Sequence, residues 1–92
     1  MTINEAVNHP EATLVDVRTP MEHSLETLAG SINIPMDEVP SRVEEFKNMS
    51  RPLVLFCRSG ARSGQTLAFL AEQGITDAMN GGGYMDMMIH KM

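Results

Sequence analysis

The apolar positions of the chain fall into short blocks of two kinds that take turns along it. Blocks of the first kind are brief and rich in β-branched or continuous apolar residues: "TLVDV" (13–17), "GSINIP" (30–35), "LVLF" (53–56) and "ITDAMN" (75–80). Such runs predict short strands, and a fully apolar one predicts a strand covered on both faces. Blocks of the second kind repeat at helical spacing. "TINEAVNH" opens with Thr2 and Glu5 at capping-box spacing, and "TPMEHSLETL" does the same with Thr19 and Glu22 around Pro20. "VPSRVEEFKNM" (39–49) places Val39, Val43 and Phe46 roughly on one face. "SGQTLAFLAEQG" (63–74) predicts a helix closed by Gly74, and "YMDMMIHKM" a last helix beyond the break at "GGG". Strands and helices alternate throughout. The predicted class is α/β, a central, mostly parallel sheet of four or five strands flanked by helices on both faces.

Composition narrows this picture. Ninety-two residues suit one domain, residues 1–92, with a modest core. Hydrophobic content of 42% and charged content of 21% are ordinary for a globular chain. A formal net charge of −5 argues against a nucleic-acid partner. One cysteine excludes an internal disulfide and a cysteine-rich zinc site; separately, no metal and no cofactor is expected. No apolar stretch approaches membrane-spanning length, and the first residues do not read as a signal peptide. The expectation is a cytoplasmic monomer, or a periplasmic one if a signal peptide has been removed. The methionines late in the chain, Met79, Met85, Met87, Met88 and Met92, read as adaptable packing rather than as soft-metal ligands.

The chemistry concentrates in "FCRSGARSGQ" (56–65). Cys57 stands at the end of a predicted strand and just before a helix. In open α/β sheets ligands sit at that end of the strands. A turn of glycine and small residues aims successive backbone N–H groups into one concavity, which binds anions. The positive end of the next helix, Arg58 and Arg62 add to it. Such surroundings favour a thiolate. A buried, inert cysteine would have no use for this company. Cys57 therefore reads as a nucleophile whose loop both ionises it and receives an anion.

These residues resemble a known family. "CRSGARS" resembles the active-site loop of the rhodanese sulfurtransferases, "LVDVRTPMEH" their Asp-Val-Arg signature, "AGSINIP" their Asn-Ile-Pro segment and "NGGGYMDM" their Gly-Gly turn and closing helix. The resemblance runs in order over nearly the whole chain. It implies a rhodanese-like fold and a Cys57 nucleophile. It implies a cradle made by the amides of Arg58, Ser59, Gly60, Ala61 and Arg62, with the two arginine side chains as anion contacts. Ser63 is expected to cap the following helix and to hydrogen-bond the sulfur. Asp16 and Arg18 are expected to support the site, with Arg18 paired to Glu22. The three histidines, His9, His23 and His90, lie far from the loop in sequence, and Tyr84 reads either as packing on the sheet or as lining the pocket mouth.

The resemblance implies a reaction in two halves: Cys57 takes a sulfane sulfur from thiosulfate or a similar donor, and a thiol or cyanide removes it. A thioredoxin-like or other sulfur-relay protein is a possible physiological acceptor. Arg62 lies five positions after Cys57, whereas related phosphatases and some arsenate reductases place arginine six positions on, where this chain has Ser63. In the family it resembles, the shorter loop goes with attack on a sulfur atom rather than on a phosphoryl group. Glu26 and Thr27 occupy the place where relatives often carry Gly-His. Two other readings stay open at this level: a carrier that passes a persulfide between proteins, and an arsenate reductase or phosphatase on the same fold.

Overall fold

The computed structural model describes residues 1–92. Four strands, β1 (Thr13–Asp16), β2 (Ser31–Asn33), β3 (Leu53–Cys57) and β4 (Met79–Gly83), form one sheet in the order β2-β1-β3-β4. Every pairing is parallel, with Asp16 beside Asn33 on one side and Phe56 on the other. β3 is central and buried along its whole length, as its unbroken apolar run requires.

Alternation along the strands splits the core in two. Val15, Leu53, Leu55 and Cys57 face one side, with Val39, Phe46, Leu70 and Ile75 above them. Leu14, Val54 and Phe56 face the other, with Ala6, Val7, Leu28 and Met87. The first layer is covered by α3 (Val43–Asn48) and α4 (Ala61–Glu72), the second by α1 (Ile3–Val7) and α5 (Tyr84–His90). No helix is long and apolar enough to cross a membrane.

Three expectations need correcting. The helix expected over 39–49 is a 3-10 segment, Met36–Arg42, followed by α3 from Val43. Pro40 lacks an N–H and its ring crowds the preceding turn, which delays the α-helix. The strand expected over 75–80 runs instead from Met79 through the three glycines. Those glycines are part of the ladder because nothing larger fits. A Cβ on Gly81 would lie 2.5 Å from the Met87 sulfur, and one on Gly83 would run into the Arg58 carbonyl. The pairing slips between Leu55 and Phe56, which face Asn80 and Gly82, so Gly81 is the extra residue of a bulge. Finally, α4 begins at Ala61, two residues before the expected start. Gly60 adopts φ +98, a left-handed value that a glycine accepts without strain, and turns the chain straight into the helix.

Both predicted capping boxes are present. Thr2 and Glu5 exchange side-chain and backbone hydrogen bonds at α1, and Thr19 and Glu22 do so at α2 (Pro20–Leu25). The chain leaves β1 toward β2, then crosses back to β3. The direction reverses between β1 and β3, and the crevice beyond their ends is where open α/β sheets bind ligands.

Candidate functional site

Two strand ends meet at this crevice. Val17 N–H donates to the Phe56 carbonyl at 3.0 Å, which brings Asp16 and Arg18 beside Cys57. The Cys57 side chain is buried, and its sulfur faces the loop that follows. Gly60 N–H donates to that sulfur at 3.0 Å, and the Ser63 hydroxyl lies 3.5 Å from it. Burial pushes the Cys57 thiol up. The Ser63 hydroxyl and the N–H groups of Ser63, Ser59 and Gly60 pull the other way, and together they leave it below its ordinary value. The loop therefore favours the thiolate, through Ser59, Gly60 and Ser63. Gly60 makes the well-aligned N–H bond to the sulfur, the amides of Ser59 and Ser63 also favour its ionised form, and those of Arg58, Ala61 and Arg62 make no hydrogen bond to it.

Ser63 is not the helix cap. It sits in the first turn of α4, whose cap position is Gly60. Its hydroxyl faces three acceptors: Asn80 Oδ1 at 2.8 Å, the Gly60 carbonyl at 3.2 Å and the sulfur.

The arginines divide. Arg62 is held by Glu22, Nη1 to Oε1 at 2.6 Å and Nη2 to Oε2 at 3.0 Å. The guanidinium, with the Thr19 N–H behind it, holds Glu22 down at about 2. Arg62 is thus a neutralised anion contact, although its charge is felt at Cys57. Arg58 is exposed and in no ion pair, so it is the free cation of the loop.

The expected Arg18–Glu22 pair is absent. Arg18 bonds Asp16 instead, through Nε at 2.9 Å and Nη2 at 2.8 Å, and its backbone N–H joins them at 2.9 Å. Residues two apart along an extended chain share a face, so the two side chains meet at the strand end without a turn. Arg18 Nη2 also reaches the Glu26 carbonyl at 2.5 Å, at the place where the sequence departs from Gly-His. His23 lies far from the loop in sequence. It donates from Nδ1 to Asp16 Oδ2 at 3.0 Å, because α2 folds back over the end of β1. Tyr84 does line the mouth: the Arg18 guanidinium lies 4.9 Å from its ring centre. With Glu22, Leu25, Glu26, Arg58 and Met85, these two form a groove of about 370 Å³.

Sequence reasoning missed Asn80 altogether. Its side chain reaches from β4 to the Cys57 loop, and the only signal was an asparagine at the edge of a glycine run. No cluster of histidine, cysteine and carboxylate groups suited to a metal ion occurs.

Fold and site define a class: a parallel α/β sheet carrying a single, hydrogen-bonded thiol at the mouth of a helix beyond its central strand. The profile of the Rhodanese-like domain family matches residues 2–87, and the chain belongs to that family. It is 39% identical over 70 residues to a sulfurtransferase of Allochromatium vinosum, covering 76% of this chain and 64% of the relative's length. It is 34% identical to thiosulfate sulfurtransferase PspE of Escherichia coli, covering 85% of this chain and 76% of that one. Among solved structures it is similar to an E. coli rhodanese with bound anions, with a TM-score of 0.71, 36% identity and 82% and 89% of the two chains covered. A human single-domain sulfurtransferase superposes with a TM-score of 0.70 at 29% identity, covering 86% and 82%.

Proposed function

We propose that this protein is a thiosulfate-type sulfurtransferase that works through a Cys57 persulfide. The observation that carries the reading is the sulfur of the only thiol, buried at the C-terminal end of β3 with Gly60 N–H on it at 3.0 Å and its ionisation eased by the loop. The family membership and the sulfurtransferase relatives support the same reaction.

The Cys57 thiolate attacks the outer sulfur of thiosulfate. A new S–S bond forms to Cys57 as the old one to sulfite breaks, and its electron pair leaves with sulfite. Sulfite is a stable anion and needs no proton, so the loop requires no general acid. The loop amides that favoured the thiolate hold the terminal sulfur of the persulfide. Cyanide or an acceptor thiolate attacks that terminal sulfur and releases the Cys57 thiolate, which completes a ping-pong cycle. With no second cysteine, no internal disulfide can drain the intermediate. Arg58 is the side chain free to draw the donor anion in, while Asp16 and Arg18 brace the end of β1 behind it.

Intact mass after incubation of the reduced protein with thiosulfate tests the reading. The wild type is expected to gain one sulfur atom and lose it to cyanide, and Cys57→Ser to gain none. Absence of the adduct, or equal gain by the variant, overturns it. Loading from a persulfidated protein but not from thiosulfate would make the chain a carrier instead.

A further inference from the structure

Asn80 projects from the bulged part of β4 into the back of the Cys57 loop. Every polar atom of its amide is used. Oδ1 accepts from Gly82 N–H at 2.9 Å and from the Ser63 hydroxyl at 2.8 Å. Nδ2 donates to the Gly60 carbonyl at 3.1 Å. These partners fix which end of the amide is which, because Gly82 offers only a donor and Gly60 only an acceptor there. The same Gly60 residue donates its own N–H to the Cys57 sulfur. Its left-handed φ of +98 is a conformation that a glycine leaves as easily as it enters, so something else must keep this residue aimed. The other partner, Ser63, is the only side chain whose oxygen approaches the sulfur.

We infer that Asn80 is a positioning residue for the reaction proposed at Cys57: one amide, held by β4, clamps Gly60 and Ser63 so that both stay aimed at the sulfur. The inference rests on Cys57 being the reacting atom. It gives β4 a part in the chemistry without any contact to substrate. The bulge at Gly81 serves the clamp, because the extra residue lets Asn80 face Leu55 while Gly82 faces Phe56.

The alternative is that Asn80 opposes the thiolate by keeping the Ser63 proton for itself. The two roles predict opposite signs. In the full chain, the rate of Cys57 alkylation by iodoacetamide is measured against pH, in parallel with kcat and KM for thiosulfate. If Asn80 is a clamp, Asn80→Ala slows alkylation at neutral pH about tenfold, moves the profile to higher pH, and lowers kcat more than it raises KM. The same loss appears when Ser63 is already alanine, since the Gly60 arm is then the one at work. Asn80→Ser, which stays polar and uncharged but is too short to reach the Gly60 carbonyl, shifts the profile in the same direction and covers the case in which the alanine variant folds poorly. An unchanged profile with only a lower Tm overturns the inference. So does faster alkylation in Asn80→Ala that disappears in the Ser63→Ala background. Alkylation reads Asn80 directly and wild-type turnover reads the proposed reaction, so a failure of one is told apart from a failure of the other.

Discussion

Asp16 is a fully buried carboxylate on which four donors converge: the backbone N–H, Nε and Nη2 of Arg18, and Nδ1 of His23. Arg18 is almost as buried, so the pair is tolerable only while both members are present. Asp16→Ala leaves the guanidinium facing little more than the Glu26 carbonyl and is expected to cost about 3–5 kcal/mol, read from urea unfolding at pH 7. A loss under 1 kcal/mol would show that the cation had found water. At this scale the sequence was readable where chemistry is local. Cys57, Gly60 and Ser63 lie within seven residues, and the loop brings all three together. It was unreadable where partners come from elsewhere. Nothing near Asn80 said that it would reach a loop some twenty residues earlier, whereas Asp16, two residues from Arg18 on the same face of the strand, is a local partner that the expectation of Glu22 passed over.

α2 is the element that most depends on charge. None of its residues is buried, so it adds little apolar area to either core. It is kept in place by its capping box, by His23 on Asp16 and by Glu22 on Arg62. The last tie carries a pH dependence. Glu22 is pulled from 4.5 to about 2 in the folded chain, first by Arg62 and then by the Thr19 N–H. Above pH 4.5 the carboxylate is ionised whether the chain is folded or not, and the tie contributes in full. As pH falls from there toward 2 the unfolded chain takes up the proton first, and the contribution is lost. Thermal melts between pH 2 and 7 should show Glu22→Gln less stable at neutral pH by about 0.5–1 kcal/mol, discounted because both side chains touch water. The gap to the wild type should close in acid, and a gap independent of pH would assign the loss to packing. The capping boxes of α1 and α2 were legible because four residues in sequence contain the whole device. β4 was not, because three consecutive glycines carry no strand propensity. Its place is set by Met87, by the loop carbonyl of Arg58 and by the ladder of β3.

The molecule as a whole is one sheet between two cores. Phe46 stands in one and Met87 in the other, both fully buried. Phe46→Ala should cost about 3–5 kcal/mol and Met87→Ala about 2–5 kcal/mol in urea unfolding. Because both cores share β3, each variant should still unfold in one step, with circular dichroism and Cys57 alkylation tracing the same curve. Separate transitions would mean that one layer can melt without the other. The alternating order of elements, and with it the α/β class, was visible from the first because hydrophobic period is a property of every segment. The order of strands was not, since it depends on which edges meet. That order has a consequence for how the protein comes into being. Cys57 pairs with Gly83, and its loop leans on Asn80, so the thiol is made by the ribosome well before the strand that completes its surroundings. Until residues 79–83 have emerged, Gly60 and Ser63 lack the Asn80 amide that holds them in the folded chain. With Asn80 as the clamp, the site is expected to reach its full reactivity only when translation has delivered the last strand of the sheet. A polypeptide cut short between the loop and β4 is expected to hold the reactive sequence with a slower thiol, which iodoacetamide alkylation would read.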